Sequence, residues 1–277
     1  LVCCFTDHGL QFPRHMSNLE DPGIAVYMIV RGPGGFTGGQ AIDEMVSLMD
    51  LVPTVYDLAG ITKPPFVEGV SLQPLVTGEC DSVRDAIFAE SNYHAAYEPM
   101  RCARTARHKY IRRYDNRDRL NLPNVDDTNS KKFLLDEGWR EQAHDQEMLF
   151  DLIFDPYETN NLINFPMMQE VIEDMRERLD QWMHETDDPL LKDGTVPAPS
   201  GAIVNDVHGW RRCSDEGTLV FNRDYLPACV GNGTGGSSIV WGAASAIDKW
   251  GLRAGIGDGL AAAVALRLIP CIDRRFD

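Results

Sequence analysis

The first apolar run, Leu1 to Phe5, ends abruptly at Thr6-Asp7-His8-Gly9, which predicts a short strand whose carboxyl end carries an acid beside an imidazole. A second apolar run, Ile24 to Arg31, reads as a buried strand and is followed by the Gly/Pro-rich loop Gly32 to Gly39. Ser47-Leu48-Met49-Asp50 has the spacing of a capping box. It predicts a helix to Ala59 with Leu48, Val52, Val55, Tyr56 and Ala59 on its apolar face, Pro53 in its first turns and Gly60 as its stop. Strand-like runs recur at Ala86 to Ala89, Met100 to Thr105, Lys109 to Arg113 and Met148 to Leu152. The short Ala106-Arg107-His108 spacing between two of them predicts an antiparallel hairpin. Asp155 to Asn160 is turn chemistry. From Pro166 a helix is predicted with Val171, Ile172, Met175, Leu179, Trp182 and Met183 on one face, expected to pack on the hairpin sheet.

This order predicts an α/β chain: a parallel sheet portion over 1–80, then a small antiparallel α+β subdomain over 81–205. Pro197 to Gly201 reads as a linker, and 206–277 as a Gly-rich tail with no assigned fold. Charge sharpens that boundary. The 277 residues carry 26 Lys+Arg against 42 Asp+Glu, a formal −16, yet residues 206–277 hold eight of each sign, so the excess lies in 1–205. Such acidity disfavours non-specific nucleic-acid or anionic-membrane partners and leaves cation binding open. No apolar stretch reaches the ~18–20 residues needed to span a bilayer. Leu260 to Ile269 is broken by Arg267 and followed by Pro270. Seven cysteines without a CxxC pair point away from a disulfide framework or a zinc site, and Cys3 and Cys4 read as buried thiols of the first strand.

Asp7 and His8 are candidate metal ligands, because open α/β sheets place ligands at the carboxyl ends of their strands. A solvated turn would show the same dipeptide. What adds weight is order: Asp7-His8-Gly9, Asn18-Leu19, Asp21-Pro22-Gly23-Ile24, Ile29-Val30-Arg31, Pro33-Gly34-Gly35, then Ser47-Leu48, Asp50-Leu51, Pro53-Thr54, Asp57 to Gly60 and Gly69 to Leu75. That progression resembles the second half of a sulfatase of the alkaline phosphatase superfamily. Pro99-Met100-Arg101, Asp155 to Leu162 and Trp182 to Pro189 are similar to the heparan N-sulfatase (sulfamidase) branch.

The resemblance, over about 1–205, implies an alkaline-phosphatase-like α/β fold in a periplasmic or secreted enzyme. Such an enzyme hydrolyses sulfate esters or sulfamates, here of carbohydrates. It implies a formylglycine nucleophile made from a C-x-P/A-x-R cysteine, and a divalent cation, usually calcium, shared by an N-terminal acidic pair and a second-half pair. Asp7 and His8 match the second-half pair, and His94 falls where the sulfamidase branch has a substrate-pocket histidine. The nucleophile and acidic pair are expected in sequence this chain does not contain, so no catalytic residue is assigned and the chain alone is expected to be inactive.

Several local patterns compete with this reading. Cys80-Asp81-Ser82-Val83-Arg84 nearly fits the nucleophile motif but has Ser at the Pro/Ala position and follows the metal pair, so it reads as a decoy. In the segment Arg14-His15-Met16, Met16 takes the position where the family carries a sulfate-binding cation. Arg101, Arg104 and Arg107 are charges of the kind an exposed hairpin carries anyway. Gly231 to Gly236 matches G-x-G-x-x-G but lacks a surrounding βαβ unit. The rival readings are a phosphate or phosphonate ester hydrolase of the same superfamily, and a non-catalytic relic that binds a glycan.

Overall fold

The computed structural model describes residues 1–198 together with 204 and 205. The tail from 206, with its Gly231 to Gly236 run, and most of the predicted linker lie outside the described residues. Strand β1 (Val2–Phe5) pairs antiparallel with β2 (Met28–Arg31), Val2 facing Arg31 and Phe5 facing Met28. The α/β class is as the sequence implied, but this first pairing is not the parallel edge expected. The connection does not cross over. It is folded back by further cross-chain bonds beyond β1: Thr6 N–H to Tyr27 O at 3.0 Å, Gly9 N–H to Gly23 O at 2.9 Å and Leu10 N–H to Pro22 O at 2.7 Å. The predicted strand also begins later, because Asp21–Ile24 form a single helical turn, α1, with Pro22 in its first positions.

The Ser47 capping box is present: Ser47 N–H donates to the Asp50 carboxylate at 2.7 Å, and Ser47 Oγ accepts from Met49 N–H at 3.2 Å. A 3₁₀ turn, Leu48–Asp50, leads into α2 (Leu51–Leu58), and Gly60 ends it at φ +65°. Its buried side is not the predicted one. Val52 and Val55 are exposed, whereas Pro53 and Thr54 are buried. Polar ties set this rotation. Asp50 also accepts from Val70 N–H and from both Arg84 guanidinium nitrogens, and Thr54 Oγ accepts from Leu72 N–H at 2.9 Å. After the short α3 (Gln73–Thr77) the chain enters the sheet region.

Strands β3 (Ile87–Tyr93), β4 (Tyr97–Arg104), β5 (His108–Arg113) and β6 (Glu147–Asp151) form one antiparallel sheet in that order. Between β5 and β6 runs α4 (Asn129–Asp136), and after β6 come α5 (Gln169–Glu185) and α6 (Pro189–Asp193). The predicted helix face packs as expected: Ile172, Met175, Leu179 and Met183 meet Ala103, Tyr110 and Leu149 on one side of the sheet. The other side, with Met100, Cys102, Ile111 and Phe150, packs on Leu19, Ile24, Val26 and Leu48 of the first portion. The sheet is therefore the shared wall between the two parts, which is why β4 is buried nearly throughout. Cys3 is half-buried and Cys4 exposed, against expectation, since the β1–β2 ribbon leaves the face bearing Cys4 and Ile29 open. No helix among the described residues is long and apolar enough to cross a membrane.

Candidate metal and substrate site

β1 delivers Asp7 and His8 to a bend at its carboxyl end. The Asp7 carboxylate is largely open to solvent and His8 mostly enclosed, with 3.8 Å between His8 Nε2 and Asp7 Oδ1. His8 Nδ1 lies 2.9 Å from Gly9 O, which assigns the proton to Nδ1 and leaves the Nε2 lone pair to accept. The Gln11 side-chain amide, 3.4 Å from Nε2, suits the same tautomer. An anionic oxygen and an imidazole lone pair on one bend fit one edge of a divalent-cation site, but only one edge. Among the described residues no group of three or more His, Cys, Asp or Glu gathers to hold a metal.

Gly9 is what lets the bend close. A Cβ there would stand 2.2 Å from Pro22 O and 2.8 Å from Gly23 O, so the chain approaches 22–23 more closely than any side chain permits.

His94 sits in the turn between β3 and β4. That turn is fixed by Asn124 Oδ1, which accepts from Ala96 N–H at 2.8 Å, and by Ala95 O, which accepts from Asn205 N–H at 3.1 Å. The Nδ1 of His94 is out of solvent without a hydrogen-bond partner. Desolvation pushes its pKa down to about 4; Asp126 pulls the other way, and His8 lowers it further. The structure thus brings two separately predicted residues, His8 and His94, within electrostatic reach of each other, with His94 neutral near pH 7.

Other sequence candidates lie elsewhere. Met16 is 2% exposed and belongs to the packed interior, so its thioether does not stand in for a cation at the surface, while Arg14 is exposed at φ +71°. Arg84 makes a bidentate pair with buried Asp50, at 2.6 and 2.5 Å, which gives the Cys80 decoy motif's arginine a structural task. Arg101 and Arg104 are fully buried rather than displayed on an exposed hairpin. Arg101 pairs with Asp188 and Glu90, and Arg104 with Asp21. Arg107 alone of the three is exposed, bound to Asp151 and lying over the Phe154 ring. Sequence reasoning missed the buried ionic group Asp21, Arg104, Lys109 and Glu158. Glu158 lay in what read as an ordinary turn; it sits there at φ +54° with its buried carboxylate against Lys109 and the Asp21 amide.

Residues 7–138 match the family model described as the C-terminal region of N-sulphoglucosamine sulphohydrolase. Human N-sulphoglucosamine sulphohydrolase is 28% identical over 231 residues, covering 73% of this chain and 44% of that protein. An ulvan-active sulfatase of Formosa agariphila is 26% identical over 197 residues, covering 66% of this chain and 33% of that protein. A solved 2-O GAG sulfatase, 25% identical, superposes with a TM-score of 0.48 over 66% of this chain and 34% of its own. The chain thus spans between a third and a half of the length of these curated relatives.

Proposed function

We propose that this chain, which carries the C-terminal region of the sulfatase family, forms part of an enzyme that hydrolyses sulfate esters or sulfamates of carbohydrates. The observation that carries the reading is the Asp7-His8 bend that follows β1, where His8 Nδ1 is engaged with Gly9 O and Nε2 is left to accept, with His8 near enough to the partnerless His94 of the β3–β4 turn to lower its pKa. Relatives named for ulvan, for N-sulphoglucosamine and for a hexuronate 2-O-sulfate support a sulfated sugar as the substrate class.

In this reading the Asp7 carboxylate and His8 Nε2 contribute two ligands to a divalent cation, calcium by family resemblance. A calcium ion takes further oxygens than the described residues gather around this bend, and none of the described residues is assigned as the formylglycine nucleophile. When bound, the cation supplies positive charge against the sulfate oxygens. His8 keeps its Nε2 lone pair because Nδ1 is engaged with Gly9 O. His94, held neutral by burial, offers Nδ1 to a sugar hydroxyl, so that binding relieves an unmet polar group. The burial of Met16 favours one second reading, a glycan-binding module without turnover, because the sulfate-binding cation of the family has no counterpart there.

Calcium at tenfold its Kd should stabilise the folded chain by about 1.4 kcal/mol, seen as a rise in Tm. Asp7→Ala should abolish that rise. An undiminished rise in the variant would remove Asp7 from the site.

A further inference from the structure

Segment 19–23 lies between the metal-ligand bend and the antiparallel sheet, and it is gripped from both sides. Toward the bend, Pro22 O and Gly23 O accept the N–H groups of Leu10 and Gly9, the residues that directly follow His8. Toward the sheet, the Asp21 carboxylate accepts from Lys109 Nζ at 2.7 Å and from Arg104 Nε and Nη2 at 3.1 and 3.0 Å. Lys109 Nζ also donates to Leu19 O at 2.8 Å and stands 3.0 Å from Glu158 Oε1, while Asp21 N–H donates to the other oxygen of Glu158. Arg104 and Lys109 face each other as a register pair at the closed end of the β4–β5 hairpin, and both are fully buried.

Four buried ionisable groups are an expensive way to hold two layers together. Apolar side chains of the same volume usually do as well or better for stability, so such a group is better explained by what it fixes in place. Here Arg104, Lys109 and Glu158 each bond the backbone or side chain of 19–21, and Lys109 also pairs with Glu158.

We propose that Lys109 and Glu158, together with Arg104, are positioning residues for the Asp7-His8 bend: they fix Asp21, Asp21 fixes Pro22 and Gly23, and those carbonyls fix the amides behind His8. The C-terminal sheet thereby sets the geometry of the metal ligands without touching the metal. This inference rests on the proposed role of Asp7 and His8 only in its final step. The coupling from Lys109 to the Gly9 and Leu10 amides stands on the hydrogen bonds themselves.

The test uses the full chain with Glu158→Gln, which keeps the shape and removes the charge, and Lys109→Met, which keeps the length of the side chain. Leu179→Ala, on the inward face of α5, serves as a control for general loosening. Amide hydrogen exchange at Gly9 and Leu10 is followed by NMR with the variants matched in distance below Tm. Mn²⁺ alone is then titrated while the broadening of the His8 ring signals is recorded. Both cluster variants should raise exchange at Gly9 and Leu10 at least tenfold relative to the Leu179→Ala control. They should also weaken the Mn²⁺ response of His8 by a similar factor. Should Lys109→Met not fold, Glu158→Gln decides alone. Exchange no faster than in the control, or an unchanged Mn²⁺ Kd despite faster exchange, overturns the proposal. Absence of any His8 broadening in the unaltered chain instead removes the metal reading, and the exchange arm still decides whether the cluster positions the bend.

Discussion

Gly9 illustrates how one missing side chain holds the candidate site together. The atoms a Cβ would meet, Pro22 O at 2.2 Å and the Gly23 carbonyl at 2.8 Å, are backbone, so they cannot rotate aside as a flexible side chain would. Gly9→Ala must either displace 22–23 or break the Gly9 N–H to Gly23 O bond, and overpacking of this kind costs roughly 1–3 kcal/mol. The variant should therefore melt lower and also lose the calcium-dependent rise in Tm, although both proposed ligands are intact. Thermal unfolding with and without calcium checks this; a lower Tm with a full calcium response would mean that the bend tolerates the shift. His94 presents the converse case, a side chain kept where its Nδ1 has no partner, and a buried polar atom in that condition calls for a ligand or a water. Met16 shows why residue-by-residue transfer from a family can mislead. Its place in the segment Arg14-His15-Met16 suggested the family's cation position, but its side chain is buried in the interior.

At the level of elements, what could be read from the sequence was what periodicity encodes. The four strands of the C-terminal sheet, the hairpin at Ala106 to His108 and the inward face of α5 follow from apolar spacing, because each side of the sheet carries an apolar cluster, whereas the burial of Arg101, Arg104 and Lys109 within the same strands leaves no such trace. The face of α2 was misread for the opposite reason: Asp50 and Thr54 orient it through hydrogen bonds, and polar residues at inward positions look like solvent-facing ones in a sequence. The antiparallel return of β2 and the inward turn of Glu158 were equally hidden, since each depends on bonds between segments far apart in the chain. Asp7 and His8 stand side by side in the sequence, whereas the nearness of His8 to His94 is hidden there, for no local pattern relates the bend after β1 to the β3–β4 turn. The same distinction yields a measurable contrast. Leu179, fully buried in the α5–sheet core, should cost about 2–5 kcal/mol on change to alanine. Val55, half exposed on α2 although it fits the apolar period, should cost under ~0.5 kcal/mol. Denaturant midpoints for the two variants test this, and similar losses would mean that α2 buries the face its sequence suggests.

For the molecule as a whole, buried histidines and buried carboxylates pull its acid response in opposite directions. His94 and His144 are held neutral, with pKa values pushed down to about 4 and about 3, in each case chiefly by desolvation. Arg113 and Arg117 press further on His144. Below their ordinary value near 6.5 the unfolded chain takes up protons that the folded chain refuses. Their stabilisation is therefore complete above about pH 6.5 and is lost as the pH falls toward 4. Glu158 works the other way. Burial raises its pKa to about 7, against the pull of Lys109 and with the repulsion of Asp21 and Glu20. Its contribution is complete below the ordinary glutamate value and is lost as pH rises through 7. Asp21, lowered by Lys109 and Arg104 against desolvation, changes charge below this window and does not enter. Between pH 7.5 and 4.5 the intact chain should consequently show a shallow slope that conceals two steep ones. His144→Gln should retain more stability on acidification than the intact chain, by on the order of 2–3 kcal/mol at pH 4.5, since each pKa unit corresponds to about 1.4 kcal/mol. Glu158→Gln should lose more, by a similar amount. Tm measured across the range for the three proteins separates the contributions, and parallel curves would mean that neither group holds a shifted proton in the folded chain.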